Sequence, residues 1–348
     1  MTLIRLENIP PGSHVGLDLH SWQSGPNFRG IKDVPEGIHC LHVTIADVSL
    51  TKYAVWLDIK TSVTTAFAWR SAEQKFVKTS SNQSMGPNEE MFFVACPPEP
   101  DRHFEALSKH LGADTVSRFV KLESVLTSTS TSNVDPFADE LKRIDTTVIT
   151  GSGEYALTFT PIDLKRSWRP GAIGRELTDQ SLDKSWLLHD TLSRCSGADG
   201  FLAEFEFCTL SVLLYGSLAA CDHFNTMLLL VANSKTALLT NPAFFEGILD
   251  LLHLQMQQVP EDLFADFFAL NVPQQVAVMQ RNVKELMVGN GTSRLQGISE
   301  NIEILLDFLH REFNVEHVTE QAVYPGDEDA DSSESEPDDE KPVVVENV

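Results

Sequence analysis

Hydrophobic and polar residues alternate through the first third of the chain. Leu41, Val43 and Ile45 share one side of a strand, with His42 and Thr44 on the other. Tyr53, Val55, Leu57 and Ile59 repeat the pattern, as do Val63, Thr65, Phe67 and Trp69. A period of two predicts half-buried strands, and the short spacing between the runs predicts antiparallel neighbours. Met91–Cys96 is a further candidate strand, closed by Pro97 and Pro98. A helix is expected from Asp101, with Phe104, Leu107 and Leu111 on one face and Gly112 as its stop, and a second short helix over 114–126.

The pattern then changes. TSTSTSNVDP, residues 127–136, has no periodicity and reads as a linker. Tyr155, Leu157 and Phe159 alternate once more, as a strand or a connector. From about Ser181 the period is helical: Phe201, Leu202, Phe205, Cys208, Val212 and Leu213 make one broad stripe. Phe244, Phe245, Ile248, Leu251, Leu252 and Gln255 make a second, and Leu295, Ile298, Ile302, Leu305, Leu306 and Leu309 a third. About six or seven helices with short turns predict an all-α layered bundle or short superhelix. Beyond Glu316, low hydrophobicity and high charge leave nothing to bury. The expected organisation is an α+β multidomain chain. It has a β-rich domain over 1–126 (antiparallel sheets with a few helices), a linker over 127–153 and a helical domain over 154–315. A disordered acidic tail over 316–348 ends in a strand-forming segment.

Charge narrows the partners. The net charge is −24, and nine carboxylates with no Lys or Arg fall within 325–340. An acidic body repels phosphates, so direct nucleic-acid binding is not expected and a basic protein surface is the natural partner. Five Cys, an odd number without any C-x-x-C, fit buried reduced thiols and the cytosol or nucleus. No apolar run suits a signal peptide or a membrane span.

Candidate chemistry is sparse. His39 and His42 fall on opposite faces of a strand and do not converge on one metal. Cys221, Asp222 and His223 are consecutive on a helix, about 100° apart, and form no relay with one another; a core Cys and a solvated Asp–His pair are expected. Gly151-Ser152-Gly153 is a turn, too short to cradle a phosphate. Asp18 has no identifiable base beside it. No catalytic residue, metal or cofactor is expected, so the chain reads as a non-enzyme. Two rival readings, an unrecognised hydrolase and a trafficking adaptor, need converging polar groups and membrane-coat partners respectively.

Two segments carry a family resemblance. Val15-Gly16-Leu17-Asp18, Ser21-Trp22, Gly25-Pro26, Phe28-Arg29-Gly30-Ile31-Lys32 and Pro35-x-Gly37-Ile38-His39-x-Leu41-His42 form the first. Leu202-x-Glu204-Phe205-x-Phe207 and Gln257-x-Val259-Pro260-x-Asp262-x-Phe264 form the second. Together they resemble the AAR-two (A1–alpha-two repression) family. The resemblance implies a VHS-like helical domain and a non-catalytic assembly chaperone of the U5 snRNP in pre-mRNA splicing. It implies binding to the large U5 scaffold protein at its RNase H-like and endonuclease-like domains, and competition with the U5 RNA helicase. A monomer outside that complex, in cytoplasm and nucleus, is the matching expectation.

Several residues are candidates for docking. Trp22, Phe28 and Ile31 read as core pegs, with Arg29 and Lys32 as a possible docking face beside them. Trp168 and Arg169 either staple the domains or meet a partner. Glu204 and Glu206 flank an apolar stripe and are expected to be solvated or salt-bridged. Val343, Val344 and Val345 follow Pro342 and suit addition to a partner's sheet edge. Ser332, Ser333 and Ser335 sit among carboxylates, as acid-directed phosphorylation sites that tune release.

Overall fold

The computed structural model describes residues 2–46, 51–60, 64–80, 88–97, 101–135, 156–290 and 295–315. The strands form two five-stranded sheets. The first contains β1 (Leu3–Glu7), β4 (Gly30–Lys32), β7 (Thr64–Arg70), β8 (Lys75–Thr79) and β9 (Phe93–Ala95), in the order β8-β7-β1-β4-β9. The second contains β2 (His14–Leu17), β3 (His20–Gln23), β5 (Gly37–Thr44), β6 (Lys52–Ile59) and β10 (Leu126–Thr127), in the order β10-β6-β5-β2-β3.

The expected antiparallel pairing holds throughout the second sheet, but the first is mixed. β1 runs parallel to β7, and β4 parallel to β9. The chain shuttles between the sheets instead of turning only in hairpins, so strands distant in sequence arrive side by side. Gly30 is required where β4 meets β1. Its φ is 136°, and a Cβ there would lie 2.0 Å from the Ile4 carbonyl oxygen.

The middle of the second sheet, Cys40–Leu41 and Ala54–Leu57, is buried on both faces, where half-buried strands are expected. Val55, Leu57, Leu41 and Val43 share a core with Ile4, Leu6, Phe67 and Trp69 of the first sheet. The residues between them, Cys40, Ala54 and Trp56, join the core of the helical region. The Trp56 ring lies 5.0 Å from the ring of Phe207, which also meets Phe119 and Phe159. One continuous apolar core therefore runs from the sheet into the helices.

Two short helices close the β lobe. α1 (Arg102–Leu107) is capped by the Asp101 carboxylate, which accepts from the His103 and Phe104 amides. It stops before the expected Gly112, at Ser108, whose φ of −118° and ψ of 22° leave the helical region. Gly112 instead opens α2 (Ala113–Phe119), and Leu126, expected in that helix, lies in β10. The segment Thr127–Asp135, read as the start of a linker, is seated on the fold. Ser132 bridges Leu157, and the Asn133 side chain both donates to the Phe159 carbonyl and accepts from its amide. Of the two readings, strand or connector, the described residues 156–160 fit the connector, with a single bridge at Leu157 and the Asn133 side chain in place of a ladder.

The helical region comprises α3 (Arg175–Leu182), α4 (Ser185–Arg194), α5 (Ala198–Tyr215), α6 (Leu218–Ala232), α7 (Ala237–Thr240), α8 (Pro242–Met256), α9 (Glu261–Phe267), α10 (Val272–Asn290) and α11 (Gln296–Phe313). The short α7 and α9 and the early α3 exceed the expected number. α5 is its axis. Every residue from Phe201 to Val212 is buried, as befits a helix that is apolar all round. Gly216, at φ 67°, ends α5 by donating to the Ser211 and Val212 carbonyls, and Ser217 caps α6. Among the described residues no helix is long and apolar enough to cross a membrane.

Candidate functional site

Two carboxylates lie inside α5 where no charge is expected. Glu204 and Glu206 are both fully buried, so of the two readings, solvated or salt-bridged, the second holds: each is paired with a histidine. Glu204 meets His223 of α6 at 2.8 Å and accepts from the Thr160 amide and hydroxyl at 2.6 and 2.7 Å. Burial pushes this carboxyl up, but His223 and Thr160 outweigh burial and hold it below its ordinary value. Glu206 meets His110 Nδ1 at 2.6 Å and accepts from the His110 amide at 2.8 Å. Here burial wins, and the carboxyl is pushed up to about 7. Each carboxylate ties a different segment to α5: Glu204 the returning strand-like segment, Glu206 the turn between α1 and α2.

The expectation of a solvated Asp–His pair at Cys221–His223 fails for the same reason. His223 is buried, stacked on Phe159 at 4.5 Å and committed to Glu204. Only Asp222 is exposed. Cys195 and Cys221 are pushed up to about 11 by burial, and Cys40 and Cys208 well above their ordinary range. Such thiols are poor nucleophiles.

Asp18 also has a basic partner that spacing did not reveal. It begins the two-residue loop between β2 and β3 with φ 55°, a conformation costly for a side chain. Its carboxylate accepts from the Cys40 amide at 2.9 Å and meets His39 Nδ1 at 2.6 Å, while its carbonyl meets His42 Nε2 at 3.0 Å. The two histidines reach one residue from opposite faces of β5. The pairing of Leu17 with Leu41 brings Asp18 to them, a register that no motif announces. Gly16 makes room: a Cβ there would fall 1.9 Å from the His42 ring. A cavity of about 240 Å³ opens beside this hub, lined by His20, Glu36, Cys96, Asp101 and Phe104 among others. The other nitrogen of His39 meets the Pro35 carbonyl at 3.1 Å. With both ring nitrogens engaged, His39 acts as a strut and has no free position for proton transfer. Among the described residues no group of three or more His, Cys, Asp or Glu is arranged to hold a metal ion.

The proposed docking residues fall in two places. Lys32 ends β4 and pairs with Glu90 at 2.9 Å, and Arg29 lies exposed nearby, its amide donating to Phe92. Trp168 and Arg169 lie on the helical lobe, in the loop before α3; Trp168 is half-buried and Arg169 exposed, paired with Glu176. Val343, Val344, Val345, Ser332, Ser333 and Ser335 lie outside the described residues, as does the Gly151–Gly153 turn. Ile173 and Leu182, 80% and 78% exposed, follow Trp168 in the chain and escaped the sequence reading. Isolated apolar residues there carried no periodic signal.

The two-sheet lobe shares a core with the helical lobe, and Asp18, His39, Glu204, Glu206 and His223 are held in structural bonds. Family models match over both lobes: an AAR2 N-terminal domain over residues 1–121 and an AAR2 C-terminal repeat region over 159–317. The chain belongs to the AAR2 family. The Protein AAR2 homolog of Homo sapiens is 23% identical over 303 residues, covering 74% of this chain and 76% of that protein. Its Oryctolagus cuniculus counterpart is 24% identical over 262 residues, covering 74% and 73%. The Caenorhabditis elegans homolog aligns over 126 residues at 25% identity, covering 34% of this chain and 35% of that protein.

Proposed function

We propose that this chain is a non-catalytic assembly factor of the U5 snRNP, acting in pre-mRNA splicing. In this reading it binds the RNase H-like and endonuclease-like region of the large U5 scaffold protein, and holds off the U5 RNA helicase until maturation. It works as a monomer outside that complex, passing between cytoplasm and nucleus. The observation that carries the reading is that both lobes match AAR2 domains while sharing one core. The commitment of Asp18, Glu204, Glu206, His39 and His223 to structural bonds supports a role without bond chemistry.

Arg29 and Lys32 on the β lobe, and Trp168 and Arg169 on the helical lobe, are the folded contacts in this reading. Val343–Val345 add a strand to the client's sheet edge, and phosphorylation of Ser332, Ser333 and Ser335 tunes release. A leash of about 26 residues reaches roughly 30 Å, which raises the local concentration of the valines toward the millimolar range. Calorimetry with the purified C-terminal modules of the scaffold is the test. Saturable binding that weakens when the chain is cut after Pro342 is expected. Absence of binding in both 50 mM and physiological salt (~0.15 M) would remove the proposal.

A further inference from the structure

The segment 164–182 departs from the rest of the molecule in charge and in exposure. Residues 164–175 carry Lys165, Arg166, Arg169 and Arg175 and no carboxylate, within a chain of net charge −24. All four cations are exposed. Lys165 and Arg166 have no carboxylate partner among the described residues. Arg169 and Arg175 pair only with Glu176 and Asp179 at the surface, where such pairs contribute little and exchange readily. α3 has no buried residue, and Arg175, Asp179 and Leu182 share its exposed face by their spacing. Ile173, just before the helix, and Leu182, its last residue, add exposed aliphatic surface.

This shelf is nonetheless built. The Ser167 hydroxyl donates to the Gln180 carbonyl at 2.7 Å, and the Arg169 amide to Gln180 Oε1 at 2.8 Å. Lys184 Nζ donates to the Leu164 and Ser181 carbonyls at 3.2 Å each. The loop before α3 is therefore clamped onto its last turn, leaving cations and aliphatic residues outward on a fixed base.

We infer that this shelf is the resting site of the chain's own acidic C-terminal segment, with carboxylates of 327–340 against Lys165, Arg166, Arg169 and Arg175, and Val343–Val345 against Ile173 or Leu182. Two observations select that occupant. Its charge is complementary: nine carboxylates precede Lys341, and an aliphatic run follows them, the same two chemistries the shelf offers. Its root is the C-terminal end of α11, where Phe313 stacks on Phe264 of α9. Its length suffices, since about 26 residues span roughly 30 Å in a typical coil. Docking in cis would keep the valine run off unintended sheet edges until a client competes for it. This holds whatever the client's identity.

The test uses the full-length chain alone, so its failure is separate from failure to bind a scaffold. Ile173 is replaced by the photo-crosslinker benzoylphenylalanine and the products are mapped by mass spectrometry. Crosslinks to peptides of 321–348 in monomer-sized product are expected at 50 mM NaCl, with a yield independent of protein concentration. That yield should fall at least fivefold at 500 mM NaCl and in the K165E/R166E/R175E variant. The replaced side chains are exposed, and melting curves will confirm folding. Absence of tail crosslinks, or crosslinks only in dimers that rise with concentration, overturns the inference, as does a yield unmoved by salt and charge reversal.

Discussion

The seam between the lobes and the shelf before α3 are built on opposite terms. At the seam, Trp56, Phe119, Phe159 and Phe207 are all but inaccessible, and the charges beside them are each held by a histidine. On the shelf, α3 buries nothing and its charges face water. Stability is thus concentrated where no partner can reach, and the shelf contributes little to it. A surface free of folding duty can be shaped for recognition alone.

The largest effect should come from the seam. Trp56→Ala or Phe207→Ala removes a ring from the cluster shared by sheet and helices, at a cost of about 3–5 kcal/mol. Because one core spans both lobes, urea unfolding followed by a β-lobe probe and by helical signal should shift together. Separate transitions would show that the lobes are not welded.

Next come the buried ion pairs. Glu204→Ala leaves His223 in the core without its partner and frees the Thr160 amide, for a loss of about 3 kcal/mol. A loss below about 1 kcal/mol by denaturant titration would mean that solvent reaches the site. Glu206 differs from Glu204 in the sign of its pH response. Its folded value, about 7, lies above the ordinary 4.5, so the folded state holds the extra proton between these limits. Its contribution is fully present below about pH 4.5 and is lost as pH rises through 7, an effect of about 2–3 kcal/mol. Glu204, held below the ordinary value, acts in the opposite sense and loses its contribution only in acid. Stability measured from pH 5 to 8 should therefore fall more steeply for the parent than for Glu206→Gln, in which His110 and Lys109 still face the position. Parallel curves would refute the assignment.

Much of this architecture was legible in the chain, and the unread part has one cause. Alternation identified Tyr53, Val55, Leu57 and Ile59 as an inward face because that signal is local. That Trp56 faces a second core depends on what packs there, which no window of β6 contains. The apolar stripe of α5 was equally plain, and salt-bridged was one of two readings of Glu204 and Glu206, but their full burial went against the general rule for charged residues. Their partners, His223 and His110, lie 19 and 96 residues away. Asp18 and His39 are 21 apart and meet only through the β2–β5 register. Gly16 and Gly30 are needed for close approaches between strands, which no local pattern signals. Arg29, Lys32, Trp168 and Arg169 were legible as unusual surface residues; that Met91, Ile173 and Leu182 are exposed required coordinates.

The smallest expected stability change gives the sharpest reading of the comparison. Ile173→Ser and Leu182→Ser each replace an aliphatic side chain that is about four-fifths exposed. Changes of this kind remain within about 0.5 kcal/mol when no buried contact is lost. The pair together should leave the melting transition where it was, since the shelf is held by Ser167, Gln180 and Lys184, none of which is altered. A loss above about 1.5 kcal/mol for the double variant would place these residues in the fold after all, and the contrast between seam and shelf would vanish. An unmoved transition, with weaker capture of a tail peptide or a client, would separate stability from recognition residue by residue. That separation is what a scaffold needs if its contacts are to be made and released without unfolding it.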